Sequence, residues 1–519
     1  MKRTTSFVAL LVVLVASSAF AEIKLPPLFA DHMVLQRGMA VPVWGTVSPN
    51  QEVTIEVAGR TARATADAQG NFVAKLPELS SGGNAVTMTI DAGGEKLVLN
   101  DVLIGDVWLA SGQSNMEWTF THLARGDASG AKLKELTSAG ADLPNVRLFT
   151  FPKTTLAEPT KVVRGEWKVS SPEALVNFSA VAFYFGRGIH EAQKVPVGLI
   201  SNAWGGKPVE SFMSDEAMRS DRAFQPLLDR KEQAGKDHPR AMAAYEKKFA
   251  EWEKNAAANA SARPATKPQE PLGAADSNLA SNIFNGMVNP VVPYAIKGAI
   301  WYQGESNAGR AEQYRALFPA MITDWRKQWG QGDFPFIWVQ LANFKERKAD
   351  PADSDWAELR EAQSMALKLP NTGQAVIIDI GEANDIHPKN KHDVGKRLAL
   401  AAERIAYGRN DVVHSGPAFA SMKVEGNQAR LKFQHADGLT AKDGNLKGFA
   451  IAGEDKKFVW ADAKIDGDVV IVSAKGVEKP IAVRYAWADN PECNLHNGAG
   501  LPASPFRTDD FPMITEGKQ

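Results

Sequence analysis

The run Val102-Leu103-Ile104-Gly105-Asp106-Val107-Trp108-Leu109-Ala110, closed by Ser111-Gly112-Gln113-Ser114-Asn115, constrains this chain more than any other segment. A short apolar run ending in a small polar turn reads as a buried strand of an α/β sheet. Ligands and reacting groups in such sheets gather at the carboxyl ends of the strands. The turn therefore places a hydroxyl, an amide and backbone N–H groups where a nucleophile is useful. A Gly-Gln-Ser-Asn turn also serves as a plain helix cap, so the segment alone does not make Ser114 a nucleophile.

The pattern around this run divides the chain. From Ile23 to about Leu99, alternating segments such as Val53–Ala58 and Ala85–Ile90, separated by Gly and Asn, read as short antiparallel strands. From Val102 onward, apolar strands alternate with helix-length amphipathic segments. The strands are expected at Val102–Ala110, Val197–Asn202, Ala299–Tyr302, Phe336–Leu341 and Ala375–Ile380. The helices are expected at Val181–Gln193, Ala311–Trp329, Trp356–Leu369 and Asp393–Tyr407. Such alternation implies a mostly parallel sheet covered on both faces. A charged, Ala- and Pro-rich excursion over 214–271 reads as an inserted helical hairpin with a solvated face. The β pattern returns after about Asp411, for example in Ala429–Phe433 and Asp468–Val472. The expected organisation is a 22–100 β-sandwich-like region, a 101–410 α/β domain and a 411–519 β domain.

The first 21 residues have the layout of an export signal. Lys2 and Arg3 precede the apolar stretch Phe7–Ala16, and Ala19-Phe20-Ala21 fits a cleavage site. That stretch is too short to span a bilayer comfortably, which takes about 20 apolar residues. The expected location is therefore periplasmic or secreted, with no membrane attachment after cleavage. The only cysteine, Cys493, rules out an internal disulfide and a Cys-rich zinc site. A formal net charge of −1 without charged blocks argues against nucleic acid as a partner.

A serine alcohol needs a base, usually histidine, that is commonly oriented by a carboxylate. Asn384-Asp385-Ile386-His387-Pro388 follows the apolar run ending Ile377-Ile378-Asp379-Ile380. Pro388 disfavours helix at His387, which places the ring on a loop at the same sheet edge as Ser114. Two further expected strand ends carry Gln303-Gly304-Glu305-Ser306-Asn307 and Asn202-Ala203-Trp204-Gly205-Gly206-Lys207. Paired glycines can offer N–H groups to a developing oxyanion. Four such turns at strand ends form a constellation that no one of them makes alone.

These blocks resemble the sialate O-acetylesterase family of the SGNH hydrolase superfamily. The resemblance lies in Gly112–Asn115, Gln303–Asn307 and Asp385–Pro388. It extends to Leu28–Gln36, Tyr485–Pro491 and Gly500–Arg507, and so covers nearly the whole mature chain. It implies a flavodoxin-like core with a parallel sheet, β-rich terminal regions, and cofactor- and metal-independent removal of acetyl groups from sugars. Carried over, Ser114 is the nucleophile and His387 the base. The N–H groups of Ser114 and of Gly205 or Gly206 form the oxyanion hole, completed by a side-chain amide of Gln303 or Asn307. Gln113, Asn115 and Glu305 support the site. The superfamily's aspartate three residues before the histidine is Asn384 here. The acid is thus open between Asp379, slightly favoured, and Asp385, with Glu305 a third candidate.

The reaction implied is acyl transfer through an acetyl-serine. Acetylated sialic acid and acetylated xylan are both compatible substrates, and Lys207 and Arg310 are the basic residues that would favour the anionic sugar. Trp118 and Trp204, two of thirteen tryptophans, follow the site motifs closely enough to meet a sugar face. A non-catalytic carbohydrate-binding protein would be expected to lack the serine or the histidine. A metal-dependent hydrolase would draw on His387, His392 and Asp393, but no H-E-x-x-H pattern accompanies them.

Overall fold

The computed structural model describes residues 22–140, 142–258 and 266–519. The expected export signal over 1–21 lies outside the described residues.

The central sheet runs in the order Thr372–Ala375, Phe336–Val339, Gly298–Tyr302, Glu95–Gly112, Val197–Ala203, Val146–Thr150, Trp167–Val169. All neighbours are parallel except the last pair. The middle strands are wholly buried, which is why they read as continuous apolar runs rather than alternating ones. Helices cover both faces. Trp108 meets Phe185 of the Ala180–Gln193 helix edge-on. Trp301 pairs in register with Ser111, three residues on and hence on the opposite face, and meets Trp325 of the Ala311–Trp329 helix. The architecture is mixed α/β with a mostly parallel central sheet and β-rich regions at both ends.

The 18-residue strand Glu95–Gly112 joins two of these parts. Its first half pairs antiparallel with Val86–Ala92 of the N-terminal β region, and its second half is the middle of the parallel sheet. The expected boundary near residue 100 falls inside this one strand. N-terminal side chains such as Val53, Ile55 and Ile90 belong to the same hydrophobic core as Leu109, Ile200 and Trp301. The C-terminal region has its own core, built on Leu431, Ile451, Val470 and Val483.

Three expectations change. The strand expected at Ala375–Ile380 is Thr372–Ala375, after which the chain turns. The apolar residues that suggested a strand serve two cores: Ile377 faces the main core, whereas Val376 and Ile378 pack into the C-terminal one. The strand Val146–Thr150 is also present and was not anticipated. Within 214–271, a 34-residue helix, Gln225–Ala258, stands where a hairpin was expected, and 266–271 returns without helix.

Candidate active site

Strand register brings the site motifs together. Gly112 is paired with Ala203 on one side and with Tyr302 on the other, so the turns that follow all three strands leave the sheet at one level. Gly112 has φ +133°, and a Cβ there would lie 2.2 Å from the Tyr302 carbonyl oxygen. Only glycine allows the Ser114 turn to lie this close to the neighbouring strand. We expect Gly112→Ala to destabilise the fold by about 3 kcal/mol, measured as a lower urea midpoint.

Ser114 opens a short helix, Ser114–Glu117, where the first N–H groups have no intrahelical acceptor. Its Oγ lies 2.8 Å from His387 Nε2. His387 is held from three sides. Its backbone N–H donates to Asp385 Oδ1 at 2.9 Å, and that same oxygen lies 3.6 Å from Nδ1. The imidazole stacks on the Trp118 indole with centroids 4.6 Å apart and planes 16° apart. Burial lowers the His387 pKa, the positive charge of Lys391 lowers it further, and Asp385 acts in the opposite sense.

Asp379 is elsewhere. Its carboxylate is gripped by Arg397 at 2.6 and 2.8 Å, with His496 Nε2 at 3.8 Å. Burial opposes its ionisation, but Arg397 and His496 outweigh burial and hold the carboxyl below the usual range. The preference for Asp379 rested on its standing at a strand end. The strand ends earlier, and the turn carries Asp379 to the seam with the C-terminal region. Glu305 is also unsuited as the orienting acid. It is half-buried, and its Oε1 accepts from Asn115 Nδ2 at 2.6 Å. Burial raises its pKa, with Asn115 and Lys391 partly compensating.

The oxyanion block is likewise reassigned. Gln303 is fully buried, donating to Asn307 Oδ1 and the Lys207 carbonyl while accepting from the Tyr314 hydroxyl. Asn307 accepts from the Val209 N–H and donates to Glu210. These amides brace the loops and are not aimed at Ser114. Gln113 accepts from the Ser306 N–H. Gly205 lies against Ser114, since a Cβ on it would be 3.1 Å from Ser114 Cβ, and its N–H donates to Glu117 Oε2 at 2.6 Å. Gly206 is exposed, with φ +71°.

Three features were not visible beforehand. Glu117 bridges the Gly205 N–H and Lys153, whose ammonium lies 2.6 Å from its other oxygen. Trp204 is flanked by Lys153 and Lys207 at 6.0 and 5.4 Å. Lys391, fully buried, reaches Asn115 Oδ1 at 2.5 Å. A lysine at the start of a charged helix reads as solvated, so nothing in the sequence singled out Lys391. Arg310, considered for substrate charge, is instead paired with Glu210 and Gln313. His392 faces Asp393 and Tyr184. Among the described residues, no group of three His, Cys, Asp or Glu is arranged to hold a metal ion.

Ser114 and His387 are thus in hydrogen-bond contact at the carboxyl edge of an open α/β sheet. Residues 276–404 match the family model described as carbohydrate esterase, sialic acid-specific acetylesterase. A crystal structure of a carbohydrate acetylesterase from Xanthomonas citri is 38% identical, covering 94% of this chain and 100% of that one, with a TM-score of 0.79. Sialate O-acetylesterases of Rattus norvegicus and Homo sapiens are 27% and 26% identical. The matches cover 92% of this chain in both cases, and 92% and 90% of those proteins. The chain belongs to the sialate O-acetylesterase family of carbohydrate esterases, and is a carboxylic ester hydrolase.

Proposed function

We propose that this chain is an exported SGNH-type serine esterase that removes O-acetyl groups from carbohydrate through an acetyl-serine intermediate. The observation that carries the reading is the 2.8 Å contact between Ser114 Oγ and His387 Nε2. Ser114 attacks the ester carbonyl as His387 takes its proton. His387 returns that proton to the departing sugar oxygen, then activates the water that releases acetate. Asp385, facing Nδ1, stabilises the imidazolium; Trp118 keeps the ring in plane with its target. The Ser114 N–H supplies one oxyanion donor, and the Gly205 N–H a second when the substrate oxygen replaces the Glu117 carboxylate.

O-acetylated sialic acid is the favoured substrate. Lys153 and Lys207 lie against Trp204 beside Gly205, and Arg125 lies 5.9 Å from the centre of the Trp118 ring. An aromatic rim with fixed positive charge suits a sugar carrying a carboxylate. A panel of O-acetylated sialic acids and acetylated xylo-oligosaccharides tests this. Higher kcat/KM on the xylan fragments would make the chain an acetylxylan esterase of the same fold.

The acid limb of kcat/KM should fall below about pH 6.5, the ordinary imidazole value. The base acts when neutral, and burial and Lys391 both favour its neutral form. A pH–rate profile recorded with and without EDTA measures this. Loss of activity with chelator, restored by zinc, would remove the serine mechanism.

A further inference from the structure

Lys391 is completely buried in the first turn of the helix Lys391–Tyr407. Two effects oppose an ammonium there: the loss of water, and the positive end of the helix dipole. Burial lowers its pKa to about 7 even with Glu305, Asp385 and Glu382 acting in the opposite sense. The surroundings nevertheless form a cage for a cation. Asn115 Oδ1 accepts at 2.5 Å, and the rings of Trp118 and Tyr302 each lie 5.5 Å from Nζ. Asn115 is the residue after the nucleophile. Its Nδ2 donates to Glu305 Oε1 at 2.6 Å and to the Ile386 carbonyl at 3.0 Å, one residue before the base. The chain Lys391–Asn115–Ile386 thus runs beneath the Ser114–His387 pair and ties its two loops together. Trp118 carries Lys391 near its ring and His387 stacked on it.

We propose that Lys391 is a positioning residue of the esterase, locking Asn115 between the nucleophile turn and the base loop and placing a positive charge behind the His387 imidazole. This inference rests on the serine–histidine reading above. The charged groups acting on His387 are Asp385, His122, Arg125 and Lys391; of these, only Asp385 favours the protonated ring. Below about pH 7 the ammonium is the main form of Lys391, and its charge supports the neutral, proton-accepting form of His387.

The test compares Lys391→Met, Lys391→Gln and Lys391→Arg with wild type in kcat and KM from pH 4.5 to 9 on one acetylated sugar, a working range of about two units either side of imidazole. Lys391→Met should lower kcat about 10- to 100-fold with KM nearly constant, and move the acid limb up by about half a unit to one unit. Lys391→Gln keeps a donor for Asn115 but not the charge, so it should show the same limb shift with a smaller loss of kcat. Lys391→Arg should keep the wild-type limb. An unmoved limb in both neutral variants, or a loss carried by KM, would overturn the proposal. If the neutral variants do not fold, an upward limb shift in Lys391→Arg overturns it and an unshifted limb upholds it. Stoichiometric labelling of wild-type Ser114 by an organophosphonate reports separately on the serine mechanism. Labelling with an unmoved limb refutes the role of Lys391 alone, and absence of labelling refutes both.

Discussion

Replacing Ser114 with alanine is expected to lower deacetylation by about five orders of magnitude while leaving the melting temperature within a degree or two of wild type. The hydroxyl's partner is His387, and the turn is shaped by Gly112 and by the Gln113 N–H donating to the Tyr302 carbonyl, neither of which needs the Ser114 side chain. Removing one oxygen therefore takes the nucleophile and little packing. Acetate release and a thermal melt on the same sample provide the check. A folded variant with near-native turnover would move the chemistry to another residue.

The second large effect separates the two aspartates by what each one loses. Asp379→Asn should destabilise the protein by about 2–4 kcal/mol, because it leaves the largely buried Arg397 without its counter-charge. Its effect on kcat at a temperature where the variant is folded should be small. Asp385→Asn should lower kcat about a hundredfold with little change in stability, because Asp385 is half-exposed and faces the His387 ring. Thermal melts and steady-state kinetics on both variants should give a crossed result. A large kcat loss in Asp379→Asn with an unchanged melt would return the acid role to that residue.

The contrast between these aspartates also marks what the sequence could reveal. The meeting of Ser114 with the glycine turns was legible because each follows an apolar strand, and strand ends are where a parallel sheet gathers its loops; His387 joins them from the longer loop after Thr372–Ala375. The helices Ala311–Trp329 and Lys391–Tyr407 were legible from their periodicity, to within two residues at each end. Asp379 was misplaced because an alternation of apolar residues looks the same whether it serves a sheet or two separate cores. Gln303 and Asn307 looked like site amides by residue type. Their role was decided by partners far along the chain, Lys207, Val209 and Glu210, which local pattern does not carry. Lys391 was silent for the same reason: its burial is made by Asn115, Trp118 and Tyr302, none of them close in sequence.

The long strand Glu95–Gly112 gives the N-terminal region a role in the chemistry that it never touches. The Ser114 turn is the far end of a rod whose near end is fixed by hydrogen bonds to Val86–Ala92. Such a rod cannot be severed near residue 100 and leave two working halves. The N-terminal sheet and the parallel sheet should therefore melt as one cooperative block, with matching amide-exchange protection along the strand. A graft that exchanges the N-terminal region for a foreign module would have to inherit this strand whole, or forfeit the placement of Ser114.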